Sequence, residues 1–353
     1  MNIDQARTIR AGEELNLENL EAFLNESLST QGEKLIVEQF PSGYSNLTYL
    51  LKLGERELVL RRPPFGAENI SKGHDMGREY KVLSLVHPAY PKCPKPLVYT
   101  EDRSILGAPF YVMERVQGII LRANQKIEFT PTEMRSLNQN LLDALVELHQ
   151  LDIEKTGLTA MGKPDGYLLR QMEGWTKRWQ NAKTEEVADM EFAIDWLAHS
   201  MPASPAPSFI HNDYKYDNVV LDKDNPTQIK AVLDWEMSTV GDPYSDLGIV
   251  LGYMTEATDP PLLRNFGVLP VEGAMTRQEM VAHYEDRTKR KIEHLVYYYA
   301  FALFKLGVVV QQIYYRYHQG FTKDERFASL IHMTKACATM SATAIREQRI
   351  SGF

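Results

Sequence analysis

Residues 209–236 read FIHNDYKYDNVVLDKDNPTQIKAVLDWE, and this run decides the fold. It sets His211, Asp213 and Asn218 in H-x-D-x-x-x-x-N spacing. Sixteen residues after Asn218, the strand-like apolar segment 229–233 ends at Asp234, which opens D-W-E. An Asp, an Asn and a second Asp in this arrangement suit phosphoryl transfer from a magnesium-bound nucleotide. The first Asp orients a substrate hydroxyl and takes its proton late. The Asn and the second Asp offer hard oxygen donors to the metal.

Working outward, 353 residues leave room for two lobes and a sizeable core. A hydrophobic fraction of 44% and a charged fraction of 24% are ordinary for a globular protein. The net charge of −8 disfavours a nucleic-acid partner. Cys93 and Cys337 lie far apart, too few for a disulfide framework or a ligand cluster, which suits a reducing cytoplasm. The start, MNIDQARTIRAGEELN, is polar and acidic and reads as neither a signal nor a transit peptide. The apolar run 294–315 is broken by Lys305, Gln311 and Gln312, so it reads as a buried core helix and no membrane partner is expected.

Local patterns divide the chain. Segment 15–26 has helical spacing of Leu17, Leu20, Phe23 and Leu24. KLIVEQF, LTYLLKL and LVLRR are strand-like and joined by the turn segments PSGYSN and GERE, which predicts an antiparallel meander. GREYKVLSLV (77–86) reads as a helix. The proline-rich HPAYPKCPKPLVY cannot be one, and ILGAPFYVMERV supplies two more strands. From Thr130 the pattern is mainly helical, over 132–151, 166–182, 187–199, 280–318 and 324–348. The expectation is an α+β, bilobal architecture. Residues 1–115 form a small antiparallel sheet with one helix that clamps nucleotide, and residues 116–353 form a larger, mostly α-helical lobe for catalysis and substrate.

The paired motifs resemble the aminoglycoside phosphotransferase family, small-molecule kinases with a protein-kinase-like fold, over roughly residues 30–320. The C-terminal YYYAFALFKLGVVVQQIYYRY followed by HQGFT is similar to one branch, the kinase-like domains that precede acyl-CoA dehydrogenases in fusion proteins. The resemblance implies Asp213 as the catalytic carboxylate, Asn218 and Asp234 as Mg2+ ligands, and ATP as phosphoryl donor, with GTP as the alternative. His211 and Asp246 would brace the loop structurally. Lys215 either stabilises charge on the transferred group or is a surface lysine. Glu236 either assists a second metal or is solvated. Arg61 stands where the family carries a lysine, with Glu79 as its partner and Arg62 as a rival phosphate contact. An Arg keeps the ion-pair logic but differs in reach and planarity. Gly43, Ser45 and Asn46 would form the phosphate loop. Glu114 and Val116 would meet the adenine edge through their backbone, and Met113 would line the base pocket.

Only eleven residues separate Asp234 from Asp246, and no A-P-E follows, so there is little chain to dock a peptide and a small-molecule substrate is favoured. On the helix through Lys305, the residues Tyr298, Lys305, Gln312 and Arg316 fall within about 20° of one line. Either this stripe lines a pocket for an anionic acceptor, a hydroxyacid or hydroxyacyl-CoA, or its cations snorkel and pair structurally. The expected activity is phosphorylation of a small-molecule hydroxyl. The alternatives are an aminoglycoside kinase and a nucleotide-binding pseudokinase with a regulatory role.

Overall fold

A computed structural model describes residues 5–30, 32–41, 46–66, 74–122, 128–265, 267 and 271–353. The described chain falls into two compact units. One comprises Met1–Ile120, Glu154–Leu158 and Val220–Ser238, and the other Leu121–Ile153, Thr159–Val219 and Thr239–Phe353.

The first unit opens with helix α1 (Leu17–Ser27), capped by the Asn16 side chain on the N–H of Asn19. Strands β1 (Leu35–Gln39), β2 (Leu47–Leu53) and β3 (Arg56–Arg62) follow as an antiparallel meander. Gly54, at φ 58°, makes the tight β2–β3 turn. Helix α2 (Met76–Val86) starts at Asp75, whose carboxylate accepts the N–H of Arg78. Then come β4 (Pro96–Thr100), the single turn α3 (Arg103–Leu106) and β5 (Phe110–Glu114). The sheet order is β1-β2-β3-β5-β4. The expectation of two strands within 105–116 is therefore corrected: one lies there, and its partner β4 forms inside the proline-rich stretch. Pro96 opens β4, which is an edge strand, where the missing N–H is tolerated.

The period-two alternation of β3 sorts its side chains. Leu58 and Leu60 pack with Leu20 and Leu24 of α1 and with Phe110 and Val112. Val59 and Arg61 take the other face, opposite Met113 and Tyr111 of β5.

The second unit is built on helices α4 (Pro131–His149), α5 (Tyr167–Ala182) and α6 (Ala188–His199). Thr130 and Glu133 form a reciprocal capping box at the start of α4, with Pro131 in its first turn. Short strands β6 (Ser208–Ile210), β7 (Val219–Leu221), β8 (Ile229–Val232) and β9 (Thr239–Gly241) pair as β6-β9 and β7-β8. Residues Val220–Ser238, which carry all but the first residue of β7, the whole of β8 and the D-W-E segment, cluster with the first unit. Helices α7 (Pro243–Tyr253), α8 (Arg277–Thr288), α9 (Leu295–His318) and α10 (Leu330–Glu347) complete the second. The single helical run expected over 280–318 is two helices, because Lys289 and His294 take left-handed backbone angles between α8 and α9.

Helix α9 is long and apolar enough to cross a bilayer by composition, but 78% of its most apolar window is buried within the protein. Tyr297, Phe301, Phe304 and Val308 pack against Tyr167, Trp175, Trp179 and Met190. Helix α7 lies against α9 because Gly248 has no Cβ, and one would sit 2.6 Å from the carbonyl oxygen of Tyr298.

Candidate active site

In the second unit, the segment after β6 carries His211, Asn212 and Asp213 through a sharp reversal. Asn212 adopts φ 67°, a left-handed conformation that costs a non-glycine residue energy and needs surrounding support. That support comes from several helices. Asp246, in the first turn of α7, accepts the backbone N–H groups of His211 and Asn212, both at 2.7 Å. Tyr167 of α5 donates its hydroxyl to Asn212 Oδ1 at 2.9 Å, and Lys305 of α9 donates Nζ to the Asn212 carbonyl at 3.0 Å. Asp246 is fully buried and meets Nε2 of His149 at 3.1 Å. Burial would raise its pKa, but the His149 bond, the nearby His211 and the backbone donor bring it below the ordinary range.

Asp213 emerges from this brace with a quarter of its side chain exposed. Lys215 Nζ donates to both of its oxygens, at 3.0 and 2.8 Å. Asn218 Nδ2 donates to its Oδ2 and to its carbonyl, both at 2.9 Å. Tyr253, the last residue of α7, donates its hydroxyl to Oδ1 at 3.2 Å. Burial works against the charge on Lys215, yet Tyr253 and then Asp213 outweigh it and raise the pKa, so the ammonium is held firmly charged.

Tyr253 is absent from the residues that the motifs single out. Its sequence signal is its spacing of seven from Asp246, which on a helix returns to nearly the same face. Both side chains accordingly meet the 211–213 segment.

In the first unit, Arg61 projects from β3 to the N-terminal turn of α2. Its Nη1 reaches Glu79 Oε1 at 2.5 Å and Asp234 Oδ1 at 3.0 Å, and its Nη2 lies 3.5 Å from Glu236 Oε2. Burial pushes the Glu79 carboxyl up while Arg61 pulls it down. On Arg61 the same burial is outweighed by its partners, Glu79 first, so the guanidinium stays charged. Asp234 sits at φ 66°, ψ 65°, a second left-handed non-glycine residue at a motif position.

Strand alternation separates the adjacent arginines. Arg62 turns to the opposite face, donates to the carbonyls of Pro63 and Leu106, and lies 3.8 Å from the Phe65 ring centroid. Asn46 is buried, with Nδ2 on Glu236 Oε2 at 2.7 Å and Oδ1 against His74 Nδ1 at 2.8 Å. Gly43 and Ser45 lie outside the described residues.

Met113 is buried opposite Val59 on the Arg61 face. Glu114 is half exposed and spends its N–H on the Lys95 carbonyl. Val116 packs with Ile120, Val220 and Ala231.

The stripe on α9 divides. Tyr298 is buried with its hydroxyl on Asp242 at 3.1 Å, and Lys305 is buried with its Nζ on Asn212. Gln312 and Arg316 are exposed. Of the first half of that line, Lys305 meets the 211–213 segment and Tyr298 meets Asp242 at the start of α7.

A model of the phosphotransferase enzyme family matches residues 36–274, more than half of the chain. Acyl-CoA dehydrogenase family member 11 of Rattus norvegicus is 34% identical over 318 residues, a match covering 88% of this chain and 41% of that protein. Acyl-CoA dehydrogenase family member 10 of Mus musculus is 30% identical over 321 residues, covering 90% of this chain and 30% of that one. The chain thus spans less than half the length of these relatives. A solved structure from Ralstonia eutropha, described as a candidate aminoglycoside phosphotransferase, superposes with a TM-score of 0.82 at 29% identity, covering 95% of this chain and 99% of that one. Aminoglycoside phosphotransferase APH(4)-Ia, solved with AMP-PNP and hygromycin B, shares the fold with a TM-score of 0.60 at 17% identity, covering 92% and 98%.

Proposed function

The chain belongs to the phosphotransferase enzyme family, and from that membership we propose that it moves the terminal phosphoryl group of ATP onto a hydroxyl of a small acyl metabolite, with Asp213 as the catalytic carboxylate. It is a small-molecule phosphotransferase with a protein-kinase-like fold. The observation that carries the catalytic assignment is the Asp213 carboxylate itself. It is partly exposed, oriented by Lys215, Asn218 and Tyr253, and mounted on a segment braced by Asp246 and Lys305. A carboxylate fixed in this way can align a hydroxyl and take its proton, which is the protein's main task in phosphoryl transfer besides stabilising charge.

Lys215 is placed to neutralise charge that builds on the transferred group. Arg61, anchored by Glu79, is the phosphate clamp of the first unit, and its planar fork replaces the point charge of a lysine. Met113 and the backbone of Val116 are the candidates for the nucleotide base, and Gly43 and Ser45 for the phosphates, because the Glu114 N–H and both ends of the Asn46 amide are engaged within the first unit.

The residues that would hold Mg2+ are Asn218 and Asp234, and their chemistry fits. Asn218 commits its amide nitrogen to Asp213, which leaves the amide oxygen as a hard donor, and the Asp234 carboxylate is about a third exposed. When bound, the ion neutralises charge on the nucleotide phosphates. Nucleotide binding is further supported by the AMP-PNP in the APH(4)-Ia structure.

The acyl class of acceptor, a hydroxyacid or hydroxyacyl-CoA, is supported by the relatives named as acyl-CoA dehydrogenase family members. Gln312 and Arg316, the exposed half of the α9 stripe, are its candidate contacts, since Tyr298 and Lys305 are engaged inside the unit. An aminoglycoside acceptor is the competing reading, favoured by the Ralstonia eutropha structure. The test is ADP release from MgATP over a panel of hydroxyacids, hydroxyacyl-CoA compounds and aminoglycosides, with Asp213→Asn as control. The expected result is turnover with an acyl acceptor and a loss of about 10²–10⁴-fold in the variant. Turnover that survives Asp213→Asn would remove the catalytic assignment. Turnover confined to aminoglycosides would remove the acyl one.

A further inference from the structure

The hydrogen-bond capacity of Asp213 is fully used within the second unit. A carboxylate offers about four lone-pair sites. Oδ1 accepts Lys215 at 3.0 Å and Tyr253 at 3.2 Å, and Oδ2 accepts Lys215 at 2.8 Å and Asn218 at 2.9 Å. An acceptor hydroxyl that is to be aligned by this carboxylate must displace one of these donors.

The donors are not equal. Lys215 brings a charge and grips both oxygens, so its bonds are the strong ones. Asn218 ties Asp213 twice, through side chain and carbonyl. Tyr253 makes the longest contact, and it is the one hydroxyl among the donors, chemically the same group as the acceptor. Its ring lies beside the same cation, with Lys215 Nζ 4.9 Å from the centroid. Burial and the Asp213 charge raise its pKa, so it stays a neutral O–H donor.

We propose that Tyr253 is a positioning residue that occupies the acceptor's place: its hydroxyl holds Oδ1 of Asp213 until a substrate hydroxyl displaces it, and so keeps water off the carboxylate. The proposal rests on the role of Asp213 given above and adds a reason why the phosphoryl group is kept for the metabolite. A water bonded to Asp213 would otherwise do what the acceptor does. Its oxygen would bond to the terminal phosphorus as the bond from that phosphorus to the ADP oxygen breaks. Its proton would pass to Asp213 and on to solvent, leaving ADP and phosphate.

Tyr253→Phe removes the one oxygen and leaves the ring in place. The experiment measures ADP release from MgATP with no acceptor present, for the wild type, Tyr253→Phe, Asp213→Asn and the double variant. The expected result is a several-fold rise in the turnover rate of Tyr253→Phe with an unchanged KM for MgATP, and loss of that rise in the double variant. A purely structural role for Tyr253 would lower the rate. A Tyr253→Phe rate at or below wild type, with wild-type hydrolysis still sensitive to Asp213→Asn, overturns the proposal alone. Hydrolysis that is indifferent to Asp213→Asn overturns the catalytic role of Asp213 and this proposal with it.

Discussion

Arg61 meets three carboxylates through one guanidinium, and Glu79, the nearest, is almost wholly buried. A lysine ammonium is a point charge, so Arg61→Lys could keep Glu79 but not span to Asp234 and Glu236. Arg61→Met would leave Glu79 buried without its cation, which is expected to cost about 3–5 kcal/mol. Urea unfolding checks this, and adding Glu79→Gln to Arg61→Met should recover most of the loss. If the double variant is no more stable than Arg61→Met, the pair is not what holds β3 to α2. The Arg-for-Lys departure was visible in the sequence. Strand alternation puts Arg61 and Arg62 on opposite faces of β3, and the packing of α2 decides which of them meets Glu79. Asn46, read as a phosphate donor, is bound on both sides of its amide by Glu236 and His74, contacts between residues far apart in the chain.

At the scale of elements, α7 and α9 brace the 211–213 segment. Helix α7 contributes Asp246 and Tyr253 one spacing of seven apart, and α9 contributes Lys305, while Tyr298, seven residues before it, holds Asp242 at the start of α7. Burial lowers the Lys305 pKa from 10.5 to about 8, against the attraction of Asp213 and Asp246; Lys215 and Arg178 also disfavour its charge. Between those two values the unfolded chain holds a proton that the folded chain has released. The contribution of Lys305 to stability therefore rises with pH from about 8 towards 10.5, and below that window the whole cost of burying the charge remains. Measured against Lys305→Met, which has nothing to titrate there, the wild type is expected to gain about 3 kcal/mol between roughly pH 7 and pH 10.5. Denaturant unfolding at several pH values reads that difference, and a flat difference would mean that Lys305 titrates as it does in water.

At the scale of the whole molecule, each unit has its own core, one around the β1–β5 sheet and α1, the other around α9. The motif residues are shared between the units, with Arg61, Glu79 and Asp234 in the first and Asp213, Asn218 and Lys215 in the second. A nucleotide bound only by the folded protein stabilises it by mass action, by about 2.7 kcal/mol at a hundred times its Kd. MgATP is accordingly expected to raise the melting temperature by several degrees, and EDTA or Asp234→Asn to remove the part due to magnesium. A melting temperature indifferent to MgATP would count against nucleotide binding as a whole.

The sequence by itself determined the β-then-α order, the catalytic spacing and the short 234–246 connection, because these rest on local periodicity and on motif chemistry within a few dozen residues. It also placed Tyr298 and Lys305 on one line of α9. It did not show the break at 289–294 or the strand beginning at Pro96, since each depends on backbone angles and pairing that composition does not fix. Only the tertiary structure decided what that line on α9 faces, that Tyr253 completes the coordination of Asp213, and that Arg62 turns away from α2. A helix or strand pattern fixes which residues share a face, and the packing of distant segments fixes what that face meets.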